Sequence, residues 1–424
     1  MMPDLNQKSK PSFKDKILRE FIRMSWMEIA AWIIIVIGNI VIVGYLIDMY
    51  ADGFWLFAKT DVEYEITGQF GDFIGGVVGT VFALGGTLMI IMSFKEQTEQ
   101  NRTDRFEATF FEMIKLHKEN VSEMNYTKFD PNTIYKDSCG RPKRGDMWQS
   151  NHKKVFRILI DEFKLCYNEC KLFIGSDLMN EFVNQTHRDF LMGLVKERNV
   201  NIDVNELVMI DVAYSIFFYG LNSEGKDLLE YSFSMKYNEP SYKKLIAFLS
   251  QKPKREDEDN WKIWMEIIGN QGESDDDTSK TELIINVAVL SSRIETKTKF
   301  AKYYGGQQHR LGHYFRHLYQ SFSYLYDQNW MDWDRRYFYG KMLRAQMSTY
   351  EQSLLFLNSL ASIGRKWEIN SDLISGQQKR RNLITSFHLI KNLPGLGIEG
   401  ITYKKYYPLV AYESNEKEGD FPAA

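Results

Sequence analysis

The sequence predicts an all-α fold in which a two-helix transmembrane hairpin continues into a helical cytoplasmic domain, and three observations predict it. Residues 29–47 (IAAWIIIVIGNIVIVGYLI) run without a charge, and so do residues 73–94 (FIGGVVGTVFALGGTLMIIMSF). After Phe94 the chain continues for thirty residues, KEQTEQNRTDRFEATFFEMIKLHKENVSEM, without proline or glycine. Amphipathic runs at helical spacing then recur through the rest.

The elements follow in order. Residues 1–28 form a basic cytoplasmic segment with Lys8, Lys10, Lys14, Lys16, Arg19 and Arg23. Each charge-free run, as a helix rising ~1.5 Å per residue, matches a hydrocarbon core roughly 30 Å thick. A signal peptide would carry a shorter apolar region and a small-residue cleavage site, so 29–94 reads as a hairpin with spans 29–47 and 73–94. The external loop 48–72 holds Lys59 against Asp52, Asp61, Glu63 and Glu65. The positive-inside rule then puts both termini in the cytoplasm, with Lys95, Arg102 and Arg105 in agreement.

Glycine is the odd feature of the second span. In water each costs a helix about 1 kcal/mol relative to alanine, a penalty that shrinks in a bilayer, where helix is nearly compulsory. Gly71, Gly75, Gly79 and Ala83, followed by Thr87, recur at intervals of four and make a small-residue face on which another backbone can approach closely. Two readings stay open: the groove receives the first span of the same chain, or it receives a second chain. Asn39, a lone amide in the middle of the first span, favours a partner helix. The partners implied are thus the lipid bilayer and a second copy.

Residues 95–128 read as a connecting helix, with Phe106, Phe110, Met113, His117, Val121 and Met124 at helical spacing. A loop region at 129–151 carries Pro131, Gly140, Pro142 and Gly145. The domain 129–400 then predicts helices at 152–174, 177–198, 204–220, 224–236, 240–251, 281–300, 307–327, 335–363 and 377–392. An acidic insert at 269–280 is expected to be mobile, and the tail 401–424 begins in an extended stretch. A net charge of −3 gives no sign of a generally acidic or nucleic-acid partner. Cys139, Cys166 and Cys170 form no CxxC pair and read as ordinary thiols. No Walker A or Rossmann glycine pattern is present, and no cofactor is implied.

Chemistry concentrates in QQHRLGHYFRHLYQSFSYLYD, where His309, His313 and His317 are spaced by four and flanked by Arg310 and Arg316. Three readings compete. A metal site would take His313 and His317 from adjacent turns, but the rest of the shell is missing and no HExxH pattern occurs, so no metal is assigned. A ribonuclease of the HEPN type would pair Arg310 or Arg316 with His317, the histidine as general acid or base and the arginine steadying the scissile phosphate. The third reading packs this helix through Leu311, Phe315, Leu318, Phe322 and Leu325, with its polar groups bonded to neighbouring helices.

Four blocks carry a family likeness: GDFIGG opening the second span, FEATFFEMIKLH, GHYFRHLYQ at 312–320 and LRAQMSTYEQSLLFLNSLASIG at 343–364. With them the chain resembles the AbiC-like phage abortive infection family, bacterial membrane-anchored defence proteins. The resemblance implies a role in limiting phage propagation from the bacterial inner membrane and implies no reaction. It marks His313, Tyr314, Arg316 and His317 in one block and Arg344, Gln346, Tyr350 and Glu351 in the other. Arg344 and Glu351 lie near one helical face and are expected to join the histidine helix in a buried network. The leading expectation is a membrane effector whose cytoplasmic domain senses infection, directly or through a companion defence protein or phage component, and perturbs the membrane. The alternatives are the membrane-tethered ribonuclease, the only reading with a nucleic-acid substrate, and a non-catalytic anchor that recruits another defence protein.

Overall fold

The computed structural model describes residues 26–51, 64–136, 139–175, 179–198, 202–269, 303–370, 381–393, 395 and 397–413. The basic segment up to residue 25, the middle of the 48–72 loop, the acidic insert from residue 270, the helix expected at 281–300, the start of that expected at 377–392 and the tail from residue 414 lie outside the described residues. The chain divides into two compact units, Met1–Phe110 and Phe111–Ala424.

In the first unit, α1 is Trp26–Ala51. The second helix starts as α2, Tyr64–Phe73, passes through a π-helical turn at Ile74–Val78 and runs on as α3, Gly79–Ser122. The continuation past Phe94 is therefore one helix, as its lack of proline and glycine predicts. Among the described residues these are the two helices long and apolar enough to cross a membrane. Only 11% of each apolar window is buried, which separates them from the core helices of a globule. Tyr45 stacks on Phe73 at 4.7 Å between ring centroids. The two backbones approach at Gly38, where a Cβ would lie 3.2 Å from the Phe82 ring, and at Gly85, where one would lie 3.2 Å from Ile35.

The predicted small-residue face is not where the two spans meet. A Cβ at Gly71 or Gly75 would have nothing within 4 Å, and one at Gly79 would meet only its own helix at the Ile74 carbonyl. Ala83 is exposed. The π turn inserts one residue between Gly71 and Gly79, so the interval of four does not trace a single straight face. Asn39 answers its own need by donating to the Ile35 carbonyl at 2.8 Å.

The second unit begins with the end of α3 and continues into an antiparallel hairpin, β1 Asn125–Lys136 and β2 Pro142–Asn151; it occupies the stretch read as a loop and takes 125–128 from the expected connecting helix, which ends at Ser122. The register runs from Asn125↔Asn151 to Asp130↔Asp146 and shifts before Ile134↔Arg144. Gly145 makes the pairing possible: its φ is +86°, and a side chain there would overlap the Phe129 ring. Helices follow: α4 Lys154–Ile174, α5 Met179–Phe182, α6 Gln185–Arg198, α7 Val204–Tyr219, α8 Ser223–Ser234, α9 Glu239–Leu249 and α10 Glu258–Gly269. Then come α11 Gln308–Tyr326, α12 Trp333–Arg344, α13 Thr349–Leu360, a 3-10 turn at Arg365–Trp367 and α14 Leu383–Ser386. The two-residue strands β3 Gly397–Ile398 and β4 Ile401–Thr402 and the turn α15 Tyr403–Tyr406 close the described chain.

Asx and Ser caps set the helix starts: Asp203, Asn222, Asn238, Asp332 and Ser348 each accept from a backbone N–H of the first turn. The run expected as one helix at 335–363 is broken at Ala345–Ser348 by such a cap. The core is built on α7, buried continuously from Leu207 to Phe218 and packed against α4 and α13. The run from Leu207 to Phe218 carries one charge, Asp211. Burial alone would raise that carboxyl, but Arg365 and Lys236 at 3.9 and 3.8 Å, the Tyr237 hydroxyl at 2.6 Å and the Ser362 N–H at 2.6 Å hold it down to about 2.

Candidate functional site

A cleft of 540 Å³ opens in the second unit where three segments remote in sequence converge. The end of α7 and the start of α8 supply Phe218, Tyr219, Asn222, Glu224 and Gly225; residues 305–316 supply the second wall; Asn358 and 363–367 supply the third.

Glycine brings the first two walls together. Gly220 and Gly306 have φ of +82° and +85°, and a Cβ on either would overlap backbone of the other segment. The crossing is tied by Leu221 N donating to the Tyr304 carbonyl and Gln307 N donating to the Phe218 carbonyl, both at 2.8 Å. Across the cleft, Asn358 donates to the Tyr214 hydroxyl at 3.1 Å and accepts from Trp367 Nε1 at 3.2 Å, which fixes the third wall to α7.

The first two turns of α11 present His309, Gly312, His313 and Arg316 to this cleft, a stripe at intervals of three, one and three residues. Gly312 leaves room in it, since a Cβ there would have its nearest neighbours at 3.9 Å. Lys366 enters from the third wall and lies over the Tyr319 ring at 4.4 Å. Among the described residues no carboxylate pairs with Arg316 or Lys366, and Glu224 is the single acidic group of the lining. The His309 imidazole is lowered from its ordinary range by burial and by Arg310. The cleft also receives the N-terminal turns of α8 and α11; Asn222 caps the first, whereas the second has no side-chain cap and favours an anion.

Arg310 and His317 point elsewhere. Arg310 Nε donates to the Asn125 carbonyl at 2.8 Å, its guanidinium lies over the Tyr126 ring at 5.1 Å, and a second N–H reaches Gln307 Oε1 at 2.9 Å. It lines a separate cavity of 320 Å³ with Tyr126, Gln307 and Glu162. Burial raises the Glu162 carboxyl there, against the lowering effect of hydrogen bonds from Gln307 and Tyr126. His317 Nε2 bonds the Met113 carbonyl at 2.9 Å; a carbonyl only accepts, so this nitrogen carries the proton. Thus the structure brings His313 and Arg316 together, sends Arg310 to the hairpin, and turns His317 to the connecting helix. His313 and His317 do not converge, and among the described residues no group of three or more His, Cys, Asp or Glu could hold a metal ion.

The second block is a packing centre. Glu351 is fully buried; it accepts from the Tyr314 hydroxyl at 3.0 Å and from Ser348 N at 2.7 Å, while its own N–H donates to Ser348 Oγ in a capping box. The buried network with the histidine helix is thus present, but through Tyr314. Arg344 is not in it: it donates to the Phe387 and His388 carbonyls at 2.7 and 3.2 Å. Gln346 bonds the Met342 carbonyl and accepts Lys153 on its own carbonyl, and Tyr350 is exposed. His117, 3.8 Å from Glu351, has neither ring nitrogen in a hydrogen bond. Burial, helped by His317, Lys153 and Lys118, holds it at about 4, so it sits there neutral and forms no ion pair at pH 7.

Sequence reading missed Lys366, Asn222 and Gly225 as cleft residues. The Asn222-x-x-Gly225 cap was the one signal available, and nothing in it points to α11. No curated protein and no solved structure gives a match to the chain. Residues 306–396 match the model of the family described as "Putative phage abortive infection protein", the family that the blocks at 312–320 and 343–364 resemble, and this match holds α11 and the third wall of the cleft but not Phe218–Gly225.

Proposed function

We propose that the protein limits phage propagation as an effector of the bacterial inner membrane, with both termini in the cytoplasm. The second unit receives the infection signal, and the two spans answer by perturbing the membrane as an assembly of several copies. The observation that carries this reading is the pattern of contact within the hairpin. Its own packing uses Gly38 and Gly85, whereas the faces at Gly71 and Gly75 stay open. Small residues on a lipid-facing helix favour another helix, because lipid itself gives apolar helices no reason to associate. Trp32, Ile33, Ile37 and Ile40 on α1 and Leu84, Ile90 and Ile91 on α3 are exposed, as a bilayer would allow and water would not.

The ribonuclease alternative through Arg310 and His317 has no comparable support, since each is bonded to a main-chain carbonyl. The test is dye entry into phage-infected cells. Gly75→Leu places a bulky side chain on the open face and should abolish both protection and dye entry at unchanged protein level. Gly85→Leu, which strikes Ile35, is the contrasting variant that should lower the protein level itself. Full protection by Gly75→Leu would overturn the assembly.

A further inference from the structure

The cleft between α7, α8 and α11 has a chemistry that the sequence does not announce. Its volume of 540 Å³ lies in the range of small-molecule sites, well above what a bare oxyanion needs. Arg316 and Lys366 are both without a carboxylate partner among the described residues, and His313 and His309 stand on the same helical stripe as Arg316. Cations without a carboxylate around one concavity call for an anionic ligand, and a guanidinium and an ammonium lining the same cleft suit phosphoryl oxygens. The N-terminal turn of α11, which has no side-chain cap, opens on the same space, and the lining includes the half-buried Tyr219, backed by the buried Phe218 and Phe315, which offers flat apolar surface. Glu224 is placed to accept hydrogen bonds that a phosphate cannot donate but a sugar hydroxyl or ring amine can.

We propose that this cleft binds a nucleotide, its phosphates at Arg316 and Lys366 and its ring against the aromatic wall, and that this ligand is the signal received by the second unit. The proposal rests on the sensing role given above, and binding is measured apart from membrane damage so that the two can fail separately. Gly312 is the opening through which the ligand is accommodated: the stripe has no side chain there, and a bulky one would fill the space.

The experiment uses the full chain in detergent, with thermal shift and equilibrium binding against ATP, GTP, AMP and inorganic phosphate at equal concentrations. The expected result is saturable binding of at least one nucleotide that inorganic phosphate does not reproduce. Arg316→Glu, at an exposed position, should weaken it by more than tenfold, and Gly312→Leu should do likewise. Lys341→Glu, a charge reversal on the exposed face of α12, should leave it within twofold. Because all three variants are judged by their unliganded melting temperature as well, a folding defect is recognised as such. Arg316→Glu binding as tightly as the parent, phosphate binding as well as every nucleotide, or no nucleotide binding at all would overturn the proposal. Nucleotide binding without dye entry would leave it standing and remove the membrane effector reading instead.

Discussion

Glu351 shows how a single carboxylate can be spent on folding. Both oxygens are engaged, by Tyr314 and by Ser348 N, at a position with no exposure. Glu351→Ala strands the buried Tyr314 hydroxyl and leaves Ser348 N without its acceptor, breaking half of the capping box, so a loss of about 3 kcal/mol is expected in urea unfolding, against about 1 kcal/mol for Tyr314→Phe. An unchanged midpoint in both variants would show the network to be idle. His117 beside it makes the unit acid-sensitive. Above pH 6.5 its imidazole is neutral folded or unfolded; below that, down to about 4, only the unfolded chain takes the proton, so stability falls with pH. Between pH 7 and pH 5 this amounts to about 2 kcal/mol. His187, also lowered to about 4 by burial, adds a second such slope, and His309 and His388 are lowered by burial too, so His117→Phe should reduce but not abolish the acid sensitivity seen in unfolding curves. The capping box stood in the letters Ser348 to Glu351, but the apolar period running on either side of it read as one helix. The box's partners Tyr314 and His117 were not legible, because pairing across helices leaves no mark on spacing.

At the scale of elements, the Gly220 and Gly306 crossing is the joint on which the cleft is hung. Alanine at either forces a positive φ on a Cβ and drives it into backbone, so each variant should lose more than about 2 kcal/mol. Gly312→Ala, with nothing nearer than 3.9 Å, should instead gain up to about 1 kcal/mol from better helix propensity, and melting temperatures of the three separate the cases. Helices were legible where an apolar period ran on, as for α4 and α11, and where an Asx cap opened the run, as for α7, α8 and α9. The β1–β2 hairpin was not, since its prolines and glycines read as loop while Gly145 in fact serves the pairing. The crossing was equally hidden: a glycine in sequence does not disclose its φ.

For the whole molecule, the charge-free runs were the most legible feature because bilayer thickness is a constraint on length alone. The cleft was only half legible. The stripe on α11 could be read from intervals, but its other walls come from residues about ninety positions earlier and fifty later. The proposed topology makes a direct prediction for the native thiols. Cys139 is exposed while Cys166 and Cys170 are buried. A membrane-impermeant maleimide should leave Cys139 unmodified in intact cells and modify it once they are permeabilised. Labelling of intact cells would reverse the orientation.

The π turn at Ile74–Val78 has a mechanical corollary. Regular α geometry would need one residue fewer over this stretch, and each residue advances a helix by about 100°. Shortening the chain by Gly76 alone should therefore swing Phe73 away from Tyr45 while Gly85 keeps its seat on Ile35. The extra residue sets the rotational phase at which one end of the second rod meets the first, and excising it would reset that phase without altering a single apolar side chain.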